Sequence, residues 1–273
     1  VSQLIGSGIW IEGFKSGKHL SKITAEFYRA MNRQSPFSYQ CNQCGRCCHD
    51  KVVTLSPYDV IRIARMMGIS TSEAVRRYTI RRGSILRFLP EGACSALDGT
   101  RCGLHRGRPL ACRFYPLGIE RSGDSEQLIT LDPADGSLGV YAQDSTAGNF
   151  IDANGTSPYF AALEKYCSLI ATFRTRITSL VDFEAVEARE FWRRAVVEAL
   201  LENNFDPNPI IDAMFDPDSN GCADEDIEET VAAHLTTLDE MIRRESDRDK
   251  LAAAAVILAV SLGYSPAEVI VPR

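Results

Sequence analysis

Over residues 157–203 and 222–270, apolar positions recur every three to four residues, with few breakers besides the Asp-Pro-Asn-Pro stretch at 206–209. That periodicity predicts an all-helical C-terminal half. The longest apolar run, residues 251–263, is about two-thirds of the length that spans a bilayer and is closed by Asp249 and Lys250. It predicts a buried helix and no membrane span. Nearer the start, Ser56-Pro57 ahead of YDVIRIARMMG predicts a helix, with Ser56 as N-cap, Pro57 at the first helical position and Gly68 as terminator. A second helix is predicted to start at 70–72 and run to Arg82. Each carries a polar face, which places both at the surface.

The rest of the first half has a different texture. Residues 14–33 predict a short helix, followed by Ser35-Pro36 and an aromatic lead-in to a run of cysteines. Two alternating stretches, 113–120 and 126–133, flank Ser122-Gly123-Asp124 and predict a β-hairpin. Residues 144–157, rich in Gly and Asp, are expected to be a linker. No internal repeat is evident. The expected fold is mainly α: a cysteine-rich metal-binding domain with a small β-hairpin over 1–145, then a helical domain over 146–273.

The cysteines change the picture. Seven of the nine fall at positions 41, 44, 47, 48, 94, 102 and 112. The N-terminal residues lack the basic, apolar, small-residue order of a signal peptide, which predicts a cytoplasmic protein. There thiols stay reduced, so clustered cysteines imply metal rather than disulfides. Thiolates are soft ligands, and Cys41-x-x-Cys44-x-x-Cys47 offers three of them from one loop, folded tightly at Gly45. Directly adjacent side chains usually point apart, so Cys48 is expected to serve a second site or to stand by as a redox thiol. Cys94, Cys102 and Cys112 lie in a loop-like stretch that their metal would shape. Seven thiols and one more ligand make two four-coordinate sites, with His49, His105 or Cys167 as the eighth. Cys222, alone near a helix, fits a small buried hydrophobe better, and Cys167 does so to a lesser degree.

Charge is divided unevenly. Residues 1–119 carry 18 Lys and Arg against 7 Asp and Glu, a net of +11, and the remainder carries −17. Arg46, Arg101, Arg106, Arg108 and Arg113 stand close in sequence to the cysteines, where they would offset thiolate charge and lower thiol pKa values. A basic half also favours an anionic partner, whether the chain's own acidic half, a nucleic acid or an acidic protein.

CNQCGRCC at 41–48, then Cys94, then CGLHRGRPLACRFYP at 102–116, resembles the CxxCxxCC zinc- or iron-chelating cysteine-cluster family, to which flagellin lysine N-methylase belongs. The resemblance implies a mostly helical cysteine-rich fold. It also implies a ligand set of Cys41, Cys44, Cys47, Cys48, Cys94, Cys102 and Cys112, with Arg108, Pro109, Arg113 and Pro116 as motif positions around it. Two departures stand out: His105 occupies the position where the family usually has Tyr, and the family's further Cys after the hairpin is absent between 113 and 166. Cys167 or His105 would then replace the eighth ligand. The spacing is not that of the ferredoxin motif, since Cys48 follows Cys47 at once and no Pro follows a fourth Cys. The expected cofactor is an iron–sulfur cluster of the 4Fe–4S kind, with zinc as the alternative.

Other signals are weaker. Asp216-x-Asp218-x-Asn220-Gly221 with Asp224 imitates the start of an EF-hand calcium loop, but Ile227 stands where the bidentate Glu belongs, so a solvated connecting loop explains it better. Arg76, Arg77, Arg81 and Arg82 form a basic stripe without a nucleic-acid motif, which a solvated helix face explains equally well. No nucleophile elbow, Walker loop, Rossmann fingerprint or His-Glu-x-x-His is present, which leaves hydrolase, NTPase and dinucleotide chemistry without support. The functional expectation is a metal-cluster protein in a redox or metal-handling role with a protein partner. The alternatives are a cluster-containing lysine N-methylase-like enzyme acting on a protein substrate, and a structural zinc module. Whether there is catalysis is left open by the residues.

Overall fold

A computed structural model describes residues 30–122, 125–180, 185–200 and 207–264. Short strands β1 (Ala30–Met31) and β2 (Pro36–Gln40) lead into the first cysteines, and a one-turn 3-10 helix spans Arg46–Cys48. Ser56 then caps α1 (Pro57–Met67), accepting from the Asp59 backbone N–H while Asp59 accepts from the Ser56 N–H, and Gly68 ends the helix in the left-handed region, as its sequence predicts. α2 (Thr71–Tyr78) is shorter than expected. Thr79 turns to extended backbone, and β3 (Thr79–Ile80) pairs with β4 (Ile85–Leu86) in a small hairpin, so the chain leaves the helix before Arg82.

The cysteine region continues through β5 (Leu97–Asp98) and β6 (Arg101–Cys102), which pair with each other, and α3 (Leu110–Phe114). The predicted hairpin comes next as β7 (Leu117–Ser122) and β8 (Ser125–Thr130), antiparallel with Ser122 opposite Ser125. β1 joins the free edge of β8, giving a three-stranded sheet of order β1-β8-β7. The helix predicted over 14–33 thus lies outside the described residues up to 29, and its remaining part is strand and turn.

Residues 144–157 are not a linker. β9 (Val140–Thr146) pairs with β2, Gln40 opposite Val140, and Thr146 caps α4 (Ala147–Ala153). Pairing with β2 and burial of Ala147 and Ile151 outweigh the turn-like composition.

Helices make up the remainder: α5 (Ser157–Leu180), α6 (Ala185–Leu200), α7 (Pro209–Phe215), α8 (Ile227–Arg244) and α9 (Arg248–Ser261). α9 is the apolar run at 251–263, buried from Leu251 through Ala259 against α5, α6 and α7. No helix among the described residues is long and apolar enough to cross a membrane. The protein is mainly α, with seven of its nine cysteines in the N-terminal part.

α1 is amphipathic, as expected, with Arg62 and Arg65 half-buried and Met66 and Met67 exposed on its outer face. Residues 57–61, 63 and 64 are all buried, because α5 and α7 cover it, and the edge of the Tyr58 ring meets Tyr159 of α5 at 5.0 Å. α2 is held from the opposite end of the chain. The Thr71 N–H donates to Asp218 and its hydroxyl to Asp216, both at 2.7 Å, so two carboxylates of the EF-hand-like loop cap a helix start. Of the basic stripe, Arg76 and Arg77 pair with Glu73, and Arg82 pairs with Asp212 of α7. Gly83 lies at φ +111, and a Cβ there would stand 2.3 Å from Phe215 Cβ, so only glycine lets this turn lie on α7.

One histidine is locked into the helical core. His234 of α8 is fully buried, with Nδ1 2.7 Å from the Tyr166 hydroxyl and Nε2 2.9 Å from the Ala213 carbonyl. The carbonyl requires Nε2 to carry the proton, so Nδ1 accepts from Tyr166. Burial lowers the imidazole pKa from 6.5 to about 4. A folded-state value below the unfolded one means that this stability is present above the unfolded pKa and is lost as pH falls towards 4. About 3 kcal/mol is expected to disappear across that window. Urea denaturation of wild type and His234→Gln from pH 7 to 4 measures it; equal pH slopes in the two proteins would refute the assignment.

Candidate metal centre

β2 delivers the chain to Cys41, and the segment preceding β9 holds the next three residues in place. Asn42 Nδ2 donates to the Leu138 carbonyl at 2.7 Å, and the Leu138 N–H donates to Cys44 Sγ at 3.4 Å. Gly45, at φ +72, then reverses the backbone. A Cβ here would approach the Thr100 carbonyl oxygen to 3.1 Å, so the glycine serves both the turn and the packing of the β5–β6 hairpin against it. The Cys48 N–H closes the 3-10 turn on the Gly45 carbonyl at 3.0 Å.

The second cysteine segment is tied to the first through backbone. The Cys94 N–H donates to the Cys48 carbonyl at 2.8 Å, and the Asp50 N–H donates to the Gly92 carbonyl at 2.9 Å. Cys102 sits on β6 beside Cys94's loop. Cys112 rides on α3, whose first N–H, that of Leu110, donates to Asp59 Oδ1 at 2.8 Å. Asp59 Oδ2 meanwhile accepts from the Ser56 N–H at 2.7 Å and the Ser56 hydroxyl at 2.6 Å. One buried carboxylate thereby starts two helices, α1 and α3, and burial raises its pKa against those hydrogen bonds.

These supports bring the seven thiols into one electrostatic neighbourhood. Burial pushes the Cys112 thiol up, and Cys102, Cys94 and Cys47 push it further. Cys94 is raised by burial and then by Cys102 and Cys47. Cys102 is likewise raised by burial, with Cys47 and Cys41 adding to it against the opposing charge of Arg108. Cys44 is lowered, first by the Leu138 N–H. Cys47 and Cys48 stand in contact, Sγ to Sγ 3.9 Å, so the adjacent pair does not point apart. In a 3-10 turn successive side chains are about 120° apart, not the half-turn of a strand. The Cys48 S–H bond lowers Cys47 to about 7, while the same bond and burial raise Cys48.

Of the arginines expected to offset thiolate charge, Arg108 acts on Cys47, Cys102 and Cys112, and Lys51 joins it at Cys47. Arg113 has a structural position instead. It donates to the carbonyls of Arg108 at 3.1 Å, Asn154 at 2.7 Å and Arg106, and its guanidinium lies 4.8 Å over the Tyr159 ring. Arg108 also reaches the Asn154 side chain at 2.6 Å. The two arginines thus anchor the loop before Cys112 to the segment between α4 and α5.

The candidates for an eighth ligand are placed apart in kind. His49 Nδ1 lies 3.1 Å from the Gly45 carbonyl, within the cysteine turn. Both ring nitrogens of His105 lie 3.1 Å from Arg108 Nη1. Cys167, on α5, donates to the Tyr264 hydroxyl at 3.4 Å. Cys222 is buried against the Asn220 carbonyl and Thr237, as a small core residue.

An aromatic wall that the cysteine spacing did not reveal closes one side. Tyr39 meets Tyr115 edge-on at 6.1 Å and Tyr141 at 4.9 Å. Burial raises the Tyr39 hydroxyl to about 12, and nearby Cys41 and Cys47 add to the shift. The aromatic lead-in at 36–40 carried part of this signal; Tyr115 and Tyr141 are brought in by the β2–β9 pairing and by α3.

The donor chemistry fits zinc or iron: soft thiolates, a nearby cation, and a wall that limits water. As placed, no three His, Cys, Asp or Glu side chains among the described residues are close enough to hold one ion together.

A thiolate-rich metal-binding domain is the class that this arrangement defines. Residues 40–133, about a third of the chain, match the CxxCxxCC family model, described as "Putative zinc- or iron-chelating domain". No curated protein and no solved structure matches the chain.

Proposed function

We propose that the protein is an iron–sulfur protein, with Cys41, Cys44, Cys47, Cys48, Cys94, Cys102 and Cys112 as the ligand pool and a redox or metal-handling role towards a protein partner. The observation that carries this reading is the gathering of seven mutually interacting thiols around Cys47 and Cys102, more than one tetrahedral ion takes. Around one tetrahedral ion the sulfurs lie about 3.8 Å apart, given metal–sulfur bonds of about 2.3 Å. A cubane places each thiolate on a different iron and so spreads its ligands more widely. Burial of Cys94 and half-burial of Cys102 and Cys112, next to Arg108, suit a cluster whose net charge must be screened from water.

The outer rim supports a docking role. Leu138 and Val140 are 64% and 53% exposed beside Cys44 and exposed Cys41, and Arg46 and Arg101 are exposed nearby in the chain. Apolar side chains with a basic surround fit an acidic protein surface.

A structural zinc reading has one observation in its favour: the 3.9 Å Cys47–Cys48 separation is close to the edge of a zinc–thiolate tetrahedron. Anaerobic purification without chelators, with an absorption spectrum and iron, zinc and acid-labile sulfide analysis, separates the two. The expected result is broad absorption near about 400 nm with about four iron and four sulfide per cluster. A colourless protein with stoichiometric zinc would replace the iron–sulfur reading with the zinc one.

A further inference from the structure

Cys47 and Cys48 are the half-buried pair at the apex of the cysteine turn, with sulfurs 3.9 Å apart. Backbone bonds on both sides fix the turn, from the Cys48 N–H to Gly45 and from the Cys94 N–H to the Cys48 carbonyl. Closing the gap to a disulfide length of about 2.05 Å takes side-chain rotation together with a local adjustment of the turn. From this geometry we infer that Cys47–Cys48 is a site of reversible oxidation to a vicinal disulfide by a low-molecular-weight disulfide of the glutathione class.

The chemistry balances within the pair. One cysteine thiolate attacks the small disulfide, forming a mixed disulfide and expelling one small thiolate. The neighbouring cysteine thiolate then attacks the protein sulfur, forming the Cys47–Cys48 bond, and expels the second. The protons of the two cysteines end on the two departing small thiols. The two electrons lost by the pair reduce the external disulfide.

Consecutive α-carbons are about 3.8 Å apart across a trans peptide, shorter than the usual separation of about 4.4–6.8 Å across a disulfide. Such a bond is strained, and strained disulfides are the readily reduced, regulatory kind. Oxidation removes two thiolates from the ligand pool at once, and a metal held by them withholds both from the oxidant. That mutual exclusion rests on the metal-site reading above; the disulfide itself does not.

Trypsin isolates the pair, since Arg46 precedes it and Lys51 lies three residues beyond it, leaving the peptide 47–51. The full chain, reduced and either metal-free or metal-replete, is incubated with oxidised glutathione, alkylated, digested and weighed by mass spectrometry, with metal content measured on the same samples. In the metal-free protein the 47–51 peptide is expected to be two hydrogens lighter and to lose both alkylation sites. In the metal-replete protein that change should be absent, and in Cys48→Ser Cys47 should retain one glutathione. A wild-type pair that keeps glutathione, or is joined to Cys94, Cys102 or Cys112 instead, overturns the inference. If the disulfide forms equally in metal-replete protein, the oxidation site stands and the pair's role as metal ligands falls.

Discussion

Stripping the metal from the protein with a chelator is expected to raise backbone hydrogen exchange across residues 41–50 and 93–112 by several orders of magnitude while α5, α8 and α9 keep their protection. The size comes from the coupling of metal binding to folding, which for structural thiolate sites supplies on the order of 10 kcal/mol. It falls on these residues because their regular elements are short. β5 and β6 have two residues each, α3 has five, and the one-turn helices Arg46–Cys48 and His105–Gly107 have three each. The helical half holds the larger share of the continuous apolar core: Tyr166, Phe173, Leu238, Ile242 and nine consecutive buried residues of α9. Exchange measured by mass spectrometry with and without chelator gives the answer region by region. Unchanged protection over 41–50 would show that the Gly45, Gly92 and Cys94 hydrogen bonds suffice alone and that the site is not a folding element.

Replacing Asp59 with Ala is the second large effect, about 3–5 kcal/mol of lost stability together with weaker metal retention. The carboxylate satisfies the Ser56 N–H and hydroxyl and the Leu110 N–H. Removing it strands buried donors, at about 1–3 kcal/mol each, and takes the reciprocal half of the α1 capping box and the acceptor at the start of α3. Because Leu110 opens the helix that carries Cys112, the loss is transmitted to the metal centre. Ser56→Ala is the control: it removes the Ser56 hydroxyl cap of α1 but leaves Leu110 bonded, so about 1 kcal/mol is expected, with metal content intact. Urea denaturation and metal analysis of both variants test the pair. Equal losses would mean that Asp59 is merely a local cap and that α3 is positioned by packing.

Much of the fold was legible because its causes are local. Ser56, Pro57 and Gly68 bound α1 through backbone sterics and a hydrogen bond three residues long, and no other part of the chain is needed to read them. The β7–β8 pairing arises from alternation on either side of a turn, and the burial of α9 from a run too apolar for solvent. The cysteine spacing identified a metal-binding domain, which the family match over 40–133 supports.

Tertiary structure decided what depends on surfaces meeting across the chain. β2 pairs with β9 a hundred residues on, which converts an apparent linker into a strand and brings Leu138 and Tyr141 to the cysteines. Residues 57–61, 63 and 64 of α1 are buried because α5 and α7 cover them, and α2 stops early because Ile80 finds Ile85. Asp59 looks like an ordinary capping residue in the sequence, and only the approach of Leu110, fifty-one residues away, makes it the support of Cys112. The Cys47–Cys48 contact likewise depends on a turn closed by Gly45 and pinned by Cys94. Sequence by itself determined which residues can start a helix, bury themselves or bind a soft metal, because those are properties of each side chain and its near neighbours. Which donors share a site was left to the tertiary structure, because long-range hydrogen bonds and packing, absent from any local window, set the distances between them.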